Sequence, residues 1–370
     1  MGEWIAPDRL FDGHSIHAGL GVLLDDGQIT RIEKAPATAR QISGLVSPGF
    51  VDLQVNGGGG VMLNNQPDAM GIKTILAAHR RFGTTALMPT VITDHPDVLA
   101  RAADAAISAK DAPGMLGLHI EGPHIAPAKR GTHAGTFIRP LDDHTINIVG
   151  GLRKAGLGVM ITLAPESCTA AQIKTLTGLG AVVSLGHTNA AADQMQTAIA
   201  AGATCITHLF NAMSAMEGRA PGAVGAAINS HCYAGIICDG HHVDDSMLGL
   251  AIRARPTPDR MFLVSDAMAT VGGPNQFELY SQTIQLKDGK LVNAEGALAG
   301  AHLTMAAALT RLVQKVGIPA ASALRMATTI PAACIGADRQ GQLIGQKTED
   351  TLILNADLSM HGTLSDILLT

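Results

Sequence analysis

Short apolar runs along this chain close, one after another, on side chains that can bind a metal ion or move a proton. The run at 45–56 carries Asp52, Gln54 and Asn56, and the run at 115–121 carries His119 and Glu121. Those at 157–166, 181–187 and 203–208 end on Glu166, His187 and His208. The run at 233–239 ends on Asp239 with His241 and His242 just beyond, and the run at 260–266 ends on Asp266. A lone histidine is more often a hydrogen-bonded or surface residue than a ligand. Recurrence at the same point of successive runs is a different matter. Glu121, His187 and His208 together have the His2Glu composition of catalytic zinc sites that keep one position open for water. Asp266, on the last run, would face that set as a general acid/base.

For those ends to meet, the runs must lie side by side and point the same way. With 84–90 there are eight runs, and helix-like segments separate them at 67–82, 95–110, 170–179, 190–201 and 244–255. Asp94, Thr169, Asn189 and Asp244 stand where a helix cap would. Strands apolar almost throughout fit a parallel sheet covered on its outer face. Eight alternations of strand and helix predict a (β/α)8 TIM barrel, whose strands present their carboxyl ends at one open face. An open doubly wound sheet is the alternative, but it usually stops at five or six strands. The chain ends break the pattern. Residues 21–34 alternate around Asp25-Asp26-Gly27, a hairpin signature, and 352–358 is another strand-like run. The expected organisation is a barrel at 48–335, with 1–47 and 336–370 joining into a small β-sandwich domain. A second hairpin, 278–292 around Asp288-Gly289, would follow the eighth strand, with helices at 305–316 and 320–335 after it.

Composition narrows the function classes. Of 370 residues, 46% are hydrophobic and 15% charged, which demands a large core and excludes a disordered chain. No apolar run approaches the ~20 residues that span a bilayer. Residues 1–9 include Glu3 and Asp8 and lack the apolar core of a signal peptide, so a cytoplasmic location is expected. Five cysteines without a C-x-x-C pair read as reduced thiols. A net charge of −5 with 3% aromatics argues against a nucleic-acid partner.

Longer motifs carry a resemblance. They are PGFVDLQVNG at 48–57, LHIEGPH at 118–124, KRGTH at 129–133, LAPE at 163–166 and SLGHT at 184–188. THLFNAM at 207–213, DGHH at 239–242 and LVSDA at 263–267 follow. In this order the chain resembles the amidohydrolase superfamily and, within it, the N-acetylglucosamine-6-phosphate deacetylase family, from about residue 48 to 305. The resemblance implies a barrel with a small β-sandwich built from both chain ends. It implies metal ligands Glu121, His187 and His208, a catalytic Asp266, and substrate contacts at His133, Asn211, Ala212, Arg219 and His242. His133 would also be catalytic, holding the developing oxyanion. Arg219, beside Gly218 and the Pro221-Gly222 turn, would grip a phosphate. The implied reaction is metal-dependent hydrolysis of the acetamide of N-acetylglucosamine 6-phosphate. A homodimer is implied as well, leaving open whether His242 acts in cis or across subunits.

The chain departs from the superfamily at one point. Many relatives carry His-x-His on the first strand, where this sequence has Gln54-Val55-Asn56. A neutral amide oxygen is a poor donor to a borderline-soft cation. One divalent ion per chain is therefore expected, Zn2+ first, with Fe2+ or another divalent ion as alternatives. Two other functions stay open: the same reaction on N-acetylgalactosamine 6-phosphate, and a non-catalytic sugar-phosphate binding protein on the same barrel. A dinuclear cyclic-amide hydrolase would want a bridging lysine where the fourth run ends Leu163-Ala-Pro-Glu166.

Overall fold

The computed structural model describes residues 2–293, 296 and 298–369; Met1 and Thr370, the outer ends of the two terminal segments, lie outside them. The apolar runs form eight parallel strands: β1 (Phe50–Val55), β2 (Thr84–Ile92), β3 (Gly117–Glu121), β4 (Gly158–Leu163), β5 (Val182–Leu185), β6 (Cys205–Ile206), β7 (Tyr233–Ile236) and β8 (Met261–Leu263). They pair in sequence order. The ring closes where Asp266 N donates to Gln54 O at 3.0 Å and Asn56 N donates to Ala267 O at 2.9 Å. That seam distinguishes a barrel from an open doubly wound sheet. A helix follows each strand, from Ala69–Arg80 after β1 to Met305–Gln314 after β8. The last of these shows why the sequence folds so. Thr304 caps it by accepting from Ala307 N, and Met305, Ala308, Leu309 and Leu312 put a buried stripe at helical spacing against the barrel.

The first apolar run proves to be two elements. Residues 45–48 end the strand Arg40–Pro48 of a separate sheet, and β1 begins at Phe50. Gly49 makes the passage, since a Cβ there would lie 1.9 Å from Thr85 Oγ1. Periodicity cannot divide two apolar strands joined by one residue. Both chain ends do meet in a small β unit. Its strands form one mixed seven-stranded sheet, ordered Met360–Thr363, Thr351–Leu354, Arg40–Pro48, Glu3–Phe11, Leu20–Asp25 and Gln28–Lys34, with Ile16–His17 beside Glu3–Phe11. Ile5, Leu10, Ile29, Val46 and Ile353 belong to its own apolar cluster. The Asp26-Gly27 turn has φ of 48° and 72°, the left-handed pair a two-residue hairpin needs.

The insert after β8 is larger than the expected hairpin. Four antiparallel strands, Gln276–Leu279, Gln282–Lys287, Lys290–Val292 and Leu298–Ala301, form a sheet of their own. Asp288-Gly289 makes one of its turns at positive φ, and Tyr280-Ser281 makes another. The last strand is fastened beside β8, with Ala301 N donating to Asp266 O at 3.0 Å and Met268 N to Ala301 O at 3.1 Å. Two cap assignments shift as well: His95, not Asp94, caps Pro96–Ser108, and Ala191, not Asn189, precedes Ala192–Ala200. Among the described residues no helix is long and apolar enough to cross a membrane. All five cysteines are free.

Candidate active site

The strand ends converge as the repeat requires. Glu121 closes β3 with its carboxylate buried, and His187 Nε2 and His208 Nε2 lie 3.2 and 3.0 Å from its Oε1. The two ring nitrogens are themselves 3.1 Å apart. His187 donates Nδ1–H to Lys129 O at 2.8 Å, which fixes its tautomer and leaves the Nε2 lone pair for the cluster. Glu166 steadies the same segment by accepting from Thr188 Oγ1 and Asn189 N at 2.6 and 2.7 Å. His187, His208 and Asp266 all sit at positive φ, 46°, 27° and 48°. Such backbone costs about 1–3 kcal/mol per residue and persists only where the surroundings hold it.

Three atoms able to share electron pairs, packed this closely and buried, match a cation's coordination shell. Ligands at ~2.0–2.1 Å around a tetrahedral zinc stand about 3.3–3.4 Å apart. Buried beside them, His208 Nδ1 and Asn56 Oδ1 have no hydrogen-bond partner among the described residues. The residues therefore fit a divalent metal. A looser set, Glu121, His133 and His187, also has ligand atoms within 4.8 Å of one another. His133, however, commits Nδ1 to the Thr93 hydroxyl at 2.7 Å, and Glu121, His187 and His208 make the tighter triangle. Burial pushes the Glu121 carboxyl up, but the two imidazoles outweigh it and hold it well below its ordinary range. Burial likewise opposes charge on His208, and Glu121 overrides it, raising that pKa.

Asp266 stands beside this triangle. Its Oδ1 accepts from Gln54 Nε2 at 3.1 Å and from Asn56 Nδ2 at 2.7 Å. The same Gln54 nitrogen donates to Glu121 Oε1 at 2.9 Å. Gln54 thus spans the two carboxylates as a donor, and Asn56 faces Asp266 as a donor too. Burial, reinforced by the Glu121 charge, pushes Asp266 up to about 6. Beneath them Asp52 accepts from Gln54 N and Ser265 N at 3.2 Å, clamping β1 to β8. His119 donates Nδ1–H to Leu53 O at 2.9 Å and meets the Thr162 hydroxyl at 2.7 Å, so it serves the barrel interior.

These groups open into a cavity of about 180 Å³. His133, Asn211, Ala212 and His242 line it with the triangle and Asp266; Arg219 does not, standing exposed on the loop that follows Asn211. Burial drives His133 down to about 3, so it is neutral near pH 7. His242 is held by Asp239, which accepts from its backbone N–H at 2.9 Å and from its Nδ1–H at 2.7 Å. Burial works against the Asp239 carboxylate, but His242 and the backbone donors keep its pKa low. The sequence marked Asp239 as a strand-end residue without tying it to His242, and gave no role to the Lys129 carbonyl. Asp239, three residues before His242 in DGHH, was the available signal; a backbone carbonyl offers none.

Residues 45–359 match the model of the amidohydrolase family. The chain belongs to that family. As an amidohydrolase it is 42% identical, over 86% of its length and 81% of the other's, to an N-acetylgalactosamine-6-phosphate deacetylase of Shewanella sp. (strain ANA-3). It is 33% identical, over 86% and 84%, to an N-acetylglucosamine-6-phosphate deacetylase of Haemophilus influenzae. The crystal structure of N-acetylglucosamine-6-phosphate deacetylase from Pasteurella multocida superposes with a TM-score of 0.91 at 32% identity, covering 98% of each chain.

Proposed function

We propose that this amidohydrolase removes the N-acetyl group of N-acetylglucosamine 6-phosphate, giving glucosamine 6-phosphate and acetate. The observation that carries the reading is the buried Glu121–His187–His208 triangle next to Asp266, at the carboxyl end of the barrel. In this reading the triangle holds one divalent ion per chain, Zn2+ by preference. Gln54 supports the count of one, because its amide nitrogen occupies the space between Glu121 and Asp266 that a second cation would need. When bound, the ion supplies Lewis-acid polarisation and makes water acidic enough to attack at neutral pH.

The side chains do the rest. Asp266, with Oδ1 fixed by two amides, takes the proton of the attacking water and returns it to the departing amine nitrogen. His133, neutral and hydrogen-bonded through Nδ1 to Thr93, offers Nε2–H to the carbonyl oxygen as charge develops on it. Asn211, the Ala212 backbone and His242 hold the sugar, with Arg219 taking the phosphate outside the cavity proper. A barrel whose first strand begins at Phe50 houses the site, and the chain segments on either side of it form the small domain. The reading includes a homodimer in the cytoplasm, where five free thiols are at home.

The 42% identity to an N-acetylgalactosamine-6-phosphate deacetylase favours a second reading, the C4 epimer as substrate. One experiment tests both: acetate release from the two sugar phosphates, side by side, by metal-loaded protein. Release from the gluco sugar at the higher kcat/KM is expected. Preference for the galacto sugar selects the second reading, and release from neither removes both.

A further inference from the structure

The cavity has two unlike sides. Glu121, His133, His187, His208 and His242 give it a polar side, from β3 round to the end of β7. Ile92, which ends β2 beside Glu121 on the neighbouring strand, and Met268, two residues past Asp266, are among the described residues the buried apolar side chains of the lining, 3% and 2% exposed. Both belong to one apolar cluster with Phe277, Leu279 and Ile284 of the insert sheet. The insert therefore supplies the support behind this wall.

Met268 is seated with little freedom. Its backbone is tied to the last insert strand through Ala301 O. A Cβ on Gly300 would fall 2.6 Å from Met268 Cγ and 2.7 Å from Cε, so the missing side chain at 300 is what gives the thioether its place. Gly300, at φ +65°, also holds a backbone conformation that other residues seldom adopt.

An amide reacting here has its carbonyl carbon between the triangle and Asp266, and two groups diverge from that point. The amine side carries a ring of hydroxyls, which need polar partners and an exit. Half-buried Asn211 and His242, with exposed Leu298, mark that mouth. The acyl side is apolar and wants an apolar surface, which buried Ile92 and Met268 provide. We propose that Met268, braced on Gly300, fixes the length of the acyl group this site accepts, taking a methyl and turning away longer chains. The inference rests on the amide-hydrolase reading given above.

The test compares kcat/KM for the N-acetyl, N-propionyl and N-butyryl forms of the sugar phosphate. One added methylene against a fitted wall is worth about 10–200-fold in discrimination. The wild-type protein is expected to favour acetyl over butyryl by at least about tenfold, and Met268→Ala to erase most of that ratio. Met268→Val, a smaller truncation, covers the case in which alanine disrupts the insert. A folded variant that lowers all three substrates equally assigns Met268 a purely supporting role and overturns the proposal. So does a wild-type protein that cleaves the butyryl amide as well as the acetyl. Release from none of the three by wild-type protein is a distinct result, which overturns the hydrolase reading and this inference with it.

Discussion

Asp266 is the residue at which chemistry and support separate most cleanly. Its Oδ1 is held by Gln54 and Asn56, and a change to asparagine preserves shape while removing the ability to accept a proton at neutral pH. If Asp266 serves both proton transfers, Asp266→Asn lowers kcat by about 10²–10⁴-fold or more, with KM little changed and the metal retained by Glu121, His187 and His208. If it merely caps the turn that follows β8, turnover stays above a tenth of wild type. Steady-state kinetics beside metal analysis decides. Arg219 makes the opposite claim. It lies outside the cavity, so Arg219→Ala should leave kcat nearly intact and raise KM for the phosphorylated sugar. Loss of a charge-assisted bond of ~1.5–3 kcal/mol corresponds to ~10–150-fold. Unchanged kinetics would remove Arg219 from phosphate binding. At this scale the sequence was informative about residue types and silent about direction. It offered Gln54 and Asn56 as weak ligands, whereas the fold turns both amide nitrogens toward Asp266. That choice depends on a carboxylate more than two hundred residues away, which no local pattern contains.

The elements explain which boundaries could be read. Strands buried on both faces are apolar throughout, so all eight runs were visible. Yet β5, β6 and β8 stop at Leu185, Ile206 and Leu263, short of the expected His187, His208 and Asp266. The reason is the positive φ at each of those three residues, which takes the chain off the ladder and swings the side chain over the barrel mouth. The insert's extra strands were hidden for a related reason: the Tyr280-Ser281 turn uses left-handed residues without a glycine to announce it. The seam between β1 and β8 yields its own prediction. Asp52 bridges it and is pushed up to about 7, chiefly by burial, with hydrogen bonds to Ser265 and Gln54 opposing. The folded chain then holds a proton that the unfolded chain releases near pH 4. Unfolding free energy from this group therefore falls as pH rises from about 4 to about 7. Asp52→Asn keeps an oxygen for the two backbone donors but cannot titrate. Thermal midpoints measured from pH 5 to pH 8 should fall more steeply for the native protein than for this variant. Parallel curves would show that Asp52 stays ionised in the fold.

At the scale of the whole molecule, the metal and the fold share one equilibrium. Among the described residues, two imidazoles and one amide hydrogen-bond the buried Glu121 carboxylate, and Asp266 is destabilised as an anion partly by that charge. A cation among them would relieve both, and the site is assembled from β1, β3, β5, β6 and β8, so it exists only when the barrel is closed. An ion that binds the folded chain and not the unfolded one adds RT ln(1 + [L]/Kd), about 2.7 kcal/mol at a hundredfold excess over Kd. For a chain of this length that is a rise of about 3–4 °C in Tm. Chelation should lower Tm by at least this much and abolish acetate release. Returning Zn2+ in steps should restore both together, with a break at one equivalent per chain, because Gln54 Nε2 occupies the only space between the two carboxylates that the described residues show bridged. Activity that recovers fully only at two equivalents would mean that Gln54 swings away to admit a second ion. Activity that recovers without any change in Tm would place the ion outside the closed barrel, and the Glu121–His187–His208 triangle would lose its role as the metal site.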